Sequence, residues 1–184
     1  MSLVVSGCTG DPVEPETSTS SSSTVDPTPT ETPEPTPTET GPTKPARPAA
    51  MDQHDAEGAA AAAEYFLELY PYVMTTGDTA EWEAMSHEAC ESCQGMLDSA
   101  SLRAQDGDIF EGGETRVVVG ETYVQDELTG LFPLDLEVTQ DPVQIASRGG
   151  EILYAEDQRT FAARAEMGVR DGDWVVFGFA EIPA

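Results

Sequence analysis

The chain has 184 residues, 35 of them acidic and 8 basic, for a net charge of −27 with both histidines neutral. A surface this negative repels phosphates and anionic headgroups, which excludes nucleic acid as a partner and membrane attachment through a basic patch. No apolar run approaches the roughly 20 residues that a spanning helix needs.

Val5-Ser6-Gly7-Cys8 stands between a short apolar stretch and a polar tail. It resembles a bacterial lipobox, in which small residues precede a cysteine that receives diacylglycerol and becomes the new N-terminus. A signal peptide also needs a basic n-region and an apolar h-region of about 7–15 residues. These are expected upstream of Met1, through an earlier start or a trimmed leader. A chance match is the competing reading, since four residues specify little. Thr9 to Ala50 is mainly Thr, Ser, Pro and Glu, with Val13 and Val25 its only larger apolar residues. Such a segment cannot bury enough apolar surface to offset the entropy of ordering it. Its prolines favour polyproline II, with a fully extended reach of roughly 130 Å. A spacer behind a lipidated cysteine, or a glycosylated stalk, fits this composition. The expected organisation is a lipobox remnant at 1–8, a disordered spacer at 9–50 and one domain at 51–184.

Met51 to Thr76 is predicted as a helix, rich in strong helix formers, with an apolar stripe of Ala59, Ala62, Ala63, Phe66, Leu69, Tyr70 and Val73. Pro71 predicts a kink or a lost hydrogen bond, and Gly77-Asp78 the end. Thr79 is the expected N-cap of a short second helix with Trp82 and Met85 facing inward. A third helix is expected from Cys90 or Glu91 to Arg103, carrying Met96, Leu97 and Ala100 and stopped by Gly107.

The period then changes. Arg116 to Val124 is strand-like, and Leu134-Asp135-Leu136-Glu137-Val138-Thr139 alternates apolar and polar. Val143 and Ile145 lead to a turn at Gly149-Gly150. A strand is expected from Gln158 to Arg170, with Phe161, Ala163, Ala165, Met167 and Val169 on one face. Asp171-Gly172 is a hairpin turn, and Trp174 to Glu181 returns antiparallel. Helices followed by strands predict an α+β fold, three helices packed on one strongly curved antiparallel sheet.

This order resembles the nuclear transport factor 2-like cone. Residues 65–94, YFLELYPYVMTTGDTAEWEAMSHEACESCQ, further resemble a family of actinobacterial lipoproteins of unknown function. That family has an aromatic first helix, a TGDT turn (Thr76-Gly77-Asp78-Thr79), a Met-Ser or Leu-Ser turn (Met85-Ser86) and a C-x-x-C followed by Gln (Cys90, Cys93, Gln94). The resemblance covers the helical half and implies a lipobox and a Ser/Thr/Pro tail. It implies no activity.

With Cys8 acylated, Cys90 and Cys93 remain as an even pair, and in an exported domain the expectation is a disulfide. A thiol–disulfide oxidoreductase using Cys90 and Cys93 is the rival reading, because a cysteine near a helix N-terminus has a lowered thiol pKa. It lacks the βαβ context of a thioredoxin-like site. A zinc set is not assembled from these cysteines with His54 and His87 alone. His87 is read as an exposed turn histidine and His54 as solvated, and no Ser-His-Asp arrangement follows from them. Asp106 to Glu114 fails as a calcium loop, since its fifth and sixth positions are Phe110 and Glu111. It reads as an acidic loop.

A cone can enclose an apolar cavity in which a buried carboxylate or histidine works as acid or base. Asp135 and Glu137 lie in the outward phase. Tyr65, Tyr70, Tyr123 and Tyr154 offer polar handles, with Phe66, Leu69, Phe161 and Met167 as candidate walls. No catalytic residue, metal or cofactor is assigned. The function expected is a lipid-anchored extracytoplasmic module that binds an envelope protein or a small apolar ligand. The alternative is a dehydratase- or isomerase-like enzyme with an apolar pocket.

Overall fold

A computed structural model describes residues 43–183. Cys8 and the spacer up to residue 42 lie outside the described residues. Thr43–Ala50, assigned to the spacer by composition, belong to the folded body. Lys44 pairs with Glu81, Arg47 with Asp52 at 2.6 Å, and a 3-10 turn at Ala49–Asp52 buries Met51.

Four α-helices follow where three were expected: α1 (Ala56–Glu68), α2 (Tyr70–Thr76), α3 (Ala80–Met85) and α4 (Glu91–Asp106). The predicted first helix starts later than Met51. Asp55 caps α1 by accepting the backbone N–H groups of Glu57 and Gly58, each at 3.1 Å. The helix then breaks at Leu69, because Pro71 has no N–H to give the carbonyl four residues back. Gly58 has a steric role: a Cβ there would lie 1.9 Å from the Gln53 carbonyl oxygen. Thr79 stands at the N-cap of α3, but its side chain makes no capping bond. Asp78 does this instead, accepting from Ala80 N–H at 3.3 Å. Gly107, in the left-handed region, closes α4.

The strands are β1 (Ile109–Gly112), β2 (Thr115–Thr122), β3 (Phe132–Gln140), β4 (Val143–Ala146), β5 (Ile152–Glu156), β6 (Arg159–Arg170) and β7 (Asp173–Glu181). All seven pair antiparallel, in two sheets rather than one: β2-β3-β6-β7 and β1-β4-β5. The two orders correspond. β1 runs on into β2, β3 into β4, and β5 into β6. The expected curved sheet is therefore broken along a line through Gly112-Gly113, Asp141-Pro142 and Asp157-Gln158. Pro142 has no N–H for a ladder. Gly112 takes φ 80°, and a Cβ on it would lie 2.0 Å from the Pro142 carbonyl oxygen. The acidic loop expected at Asp106–Glu114 thus contains β1, and β5 has no counterpart among the expected strands.

The four-stranded sheet holds the core. Leu134, Leu136, Val138, Ala163, Ala165 and Met167 are buried against α1, whose Ala59, Ala62 and Ala63 let the helix lie close. Phe66 packs on Trp82 with centroids 3.9 Å apart. Trp174 donates its indole N–H to the carbonyls of Met51 (3.1 Å) and Gln53 (3.2 Å), fixing the segment before α1. Val169 departs from the buried set and is exposed near the hairpin end of β6. The Asp171-Gly172 turn has both residues at positive φ, 57° and 95°.

Candidate binding cleft

The break in the sheet makes a concavity, and the helices wall it without filling it. A cleft of about 640 Å³ lies between them. Its floor is Val138 and Phe161 on one side of the crease and Val143 and Ile145 on the other. Phe66, Trp82 and Met96 come from the helices, and Phe179 from β7. Met96, Phe161 and Phe179 are apolar and packed against the core, yet remain half-buried. Of the walls expected from sequence, Phe66 and Phe161 line the cleft. Leu69 and Met167 do not, and both are fully buried in the core.

Its larger polar groups come from β3, β5, β6, β7, α2 and the end of α4. Arg159 donates to Glu181 at 2.8 Å and to Gln140 Oε1 at 3.3 Å, lies 3.8 Å from Glu156, and stacks over Phe161 at 4.3 Å. Tyr154 donates to Glu156 at 2.8 Å. Both carboxylates of the cleft are therefore engaged. Burial pushes the Tyr70 phenol above its ordinary value, an effect that Arg103 and Arg159 partly oppose, so this hydroxyl stays protonated and can donate. Arg103, in the last turn of α4, lies over the Phe110 ring at 5.5 Å and donates to Met74 Sδ at 3.5 Å.

The other sequence candidates fall elsewhere. Tyr65 is buried, and its phenol is pushed up by burial and by Glu81. Tyr123 donates to Asp135 at 2.8 Å on the outer face. Glu64 has its carboxyl raised by burial and then by Glu68, but it does not line the cleft. His87, expected to be exposed, is half-buried. It stacks on Phe177 with centroids 4.1 Å apart, and its Nδ1 accepts from Ala89 N–H. It too lies outside the cleft. His54 is exposed, with Nε2 3.1 Å from the Gly172 carbonyl oxygen. Among the described residues no group of three or more His, Cys, Asp or Glu side chains is placed to hold a metal.

Cys90 and Cys93 are joined as a disulfide, with sulfurs 2.01 Å apart. Both are at most 2% exposed, which hinders thiolate attack on the bridge. Cys90 Sγ takes the N-cap role for α4, accepting from Cys93 N–H at 3.3 Å. Ser92 Oγ donates to the Phe179 carbonyl at 2.6 Å, and the Trp82 indole N–H donates to the Cys93 carbonyl at 3.2 Å. The bridge thus pins the first turn of α4, the Ser92 and Trp82 bonds tie that turn to β7 and α3, and Cys93 itself lines the cleft.

Tyr70, Tyr154, Phe66 and Phe161 were named from sequence as handles or walls and line the cleft, whereas Arg103, Arg159, Met96 and Phe179 escaped that reading. The available signal was an apolar-phase strand, Phe161 to Met167, that begins beside Arg159 and has alanines at its middle positions.

A family described as of unknown function (DUF6318) matches residues 33–179. No curated protein matches the chain. Among solved structures, the intermembrane space region of the chloroplast protein ARC6 aligns with a TM-score of 0.57 at 12% identity, covering 72% of this chain and 99% of that one. Aln2 from a Streptomyces species aligns at 0.39 and 15% identity, covering 66% and 88%. An uncharacterised protein with a cystatin-like fold from Caulobacter vibrioides aligns at 0.38 and 8% identity, covering 68% and 91%. At such identities the first likeness shows a shared fold alone.

Proposed function

The chain belongs to the DUF6318 family of unknown function, and from that premise we propose that it is a lipid-anchored extracytoplasmic module whose cleft binds a small apolar molecule. The observation that carries this reading is the cleft itself. It is of ligand size, its floor and helical walls are mainly apolar, and its two carboxylates are held by Arg159 and Tyr154. A carboxylate or histidine acting as general acid or base must face the pocket free of a fixed partner. The groups that come nearest to that, Glu64 and His87, lie elsewhere. The creased sheet under its helices is read here as the nuclear transport factor 2-like cone, with the concavity as its mouth. The anchor is assigned to Cys8 by its lipobox-like setting and by the Thr/Ser/Pro/Glu spacer behind it. A disulfide in the domain suits an oxidising compartment.

The cleft is tested by titrating the full chain with dodecanol while following indole emission, since Trp82 lines the cleft. Binding should shift the emission and raise the thermal midpoint, and Ser99→Trp, which fills the cleft from α4, should abolish both effects. A native protein that does neither near dodecanol saturation overturns the reading. The anchor is tested by metabolic labelling with an alkyne fatty acid. Label on the native chain, lost together with membrane retention in Cys8→Ala, supports it. An unlabelled native chain rejects it.

A further inference from the structure

The chain has 35 acidic and 8 basic side chains. Lys44, Arg47, Arg116, Arg159 and Arg164 all form ion pairs. Among the described residues Arg103, Arg148 and Arg170 do not. Arg148 and Arg170 are exposed, one in the turn between β4 and β5 and the other beside the Asp171-Gly172 turn. Arg103 is half-buried and lines the cleft. Its contacts, the Phe110 ring and Met74 Sδ, orient the guanidinium without neutralising it. On the opposite side of the polar cluster Arg159 is taken up by Glu156, Glu181 and Gln140, so the two carboxylates there are held by a guanidinium other than Arg103. The cleft therefore joins an apolar chamber to one arginine that forms no ion pair among the described residues, with the Tyr70 phenol among the lining groups.

Resting on the cleft reading above, we infer that the occupant is an amphiphile with a single anionic head group, carboxylate or phosphate, held by Arg103, and an apolar body lying among Phe66, Trp82, Met96 and Phe179. The strongly acidic surface works against free polar anions. Burial of the apolar body must supply most of the affinity, and Arg103 selects and orients the head. Guanidinium serves this better than a lysine ammonium, since it is weakly hydrated and presents a fork to carboxylate or phosphate.

Calorimetric titration of the full chain with four twelve-carbon probes, each below its micelle-forming concentration, separates the contributions. These are dodecanoate, dodecyl phosphate, dodecanol and dodecyltrimethylammonium. Both anions are expected to bind about tenfold or more tightly than dodecanol, and the ammonium probe least. Arg103→Gln should bring the anions to the level of dodecanol and leave dodecanol unchanged, while Arg103→Lys keeps most of the preference. The tighter anion identifies the head-group class. If dodecanol binds the native chain as well as the anions, or Arg103→Gln leaves their affinity intact, the head-group inference fails and the apolar cleft stands. If none of the four binds, both fail.

Discussion

The two sheets are built from the same stretches of chain on either side of one crease, yet they are made differently. In β2-β3-β6-β7 the inward residues of β3, and of β6 up to Met167, alternate with outward ones and are covered by helices. In β1-β4-β5 the strands have four or five residues, and Ile152, Leu153 and Tyr154 of β5 are each about half-exposed. The large sheet supplies stability. The small one, tilted at the crease, supplies Val143, Ile145 and Tyr154 to the cleft. The molecule thus separates its core from its candidate site within what is topologically one bent sheet.

That division is open to direct test by chemical denaturation. Leu134→Ala, at a fully buried position of the large sheet, should cost about 2–5 kcal/mol. A loss under about 1 kcal/mol would mean the core lies elsewhere. Gly112→Ala acts at the crease, where positive φ and the Pro142 carbonyl both oppose a side chain, and about 3 kcal/mol is expected. Unchanged stability would show that the bend does not depend on this residue. Replacing Cys90 and Cys93 together by alanine should cost about 2 kcal/mol, since the bridge closes a very short loop. Because α4 walls the cleft, dodecanol binding should weaken alongside. Leu153→Ala, in the exposed strand β5, should change stability by about 0.5 kcal/mol or less. A loss comparable to Leu134→Ala would erase the contrast between the sheets.

The smallest effect concerns pH. Asp141 at the crease accepts both arms of Arg116, at 2.6 and 3.0 Å, and this contact holds its carboxyl below the ordinary value. A depressed folded-state pKa contributes stability that is present above the unfolded value of about 3.9 and is lost as pH falls through the folded value. Asp141→Asn should therefore narrow the difference in thermal midpoint between pH 7 and pH 3. An unchanged difference would show that the pair contributes nothing, as many exposed pairs do.

What the sequence by itself determined is what local pattern encodes. The alanine stripe of α1, the break at Pro71, the stop at Gly107, the alternation of β3 and the Asp171-Gly172 hairpin follow from periodicity and backbone chemistry, and each is legible within about ten residues. The mixed α+β class follows from their order. β5 was not legible, because Ile152-Leu153-Tyr154 is apolar throughout and half-exposed, so its residues carry no period of two. The short β1 lay inside glycines and acids that read equally well as a loop. Only the tertiary structure decided where the sheet bends, since the crease aligns Gly112, Pro142 and Asp157, which are distant in sequence. The same holds for the cleft. Arg103, Tyr70 and Arg159 come from α4, α2 and β6, and their meeting depends on long-range packing that no local pattern records. An arginine left unpaired among so many carboxylates is visible only once every other cation has been placed.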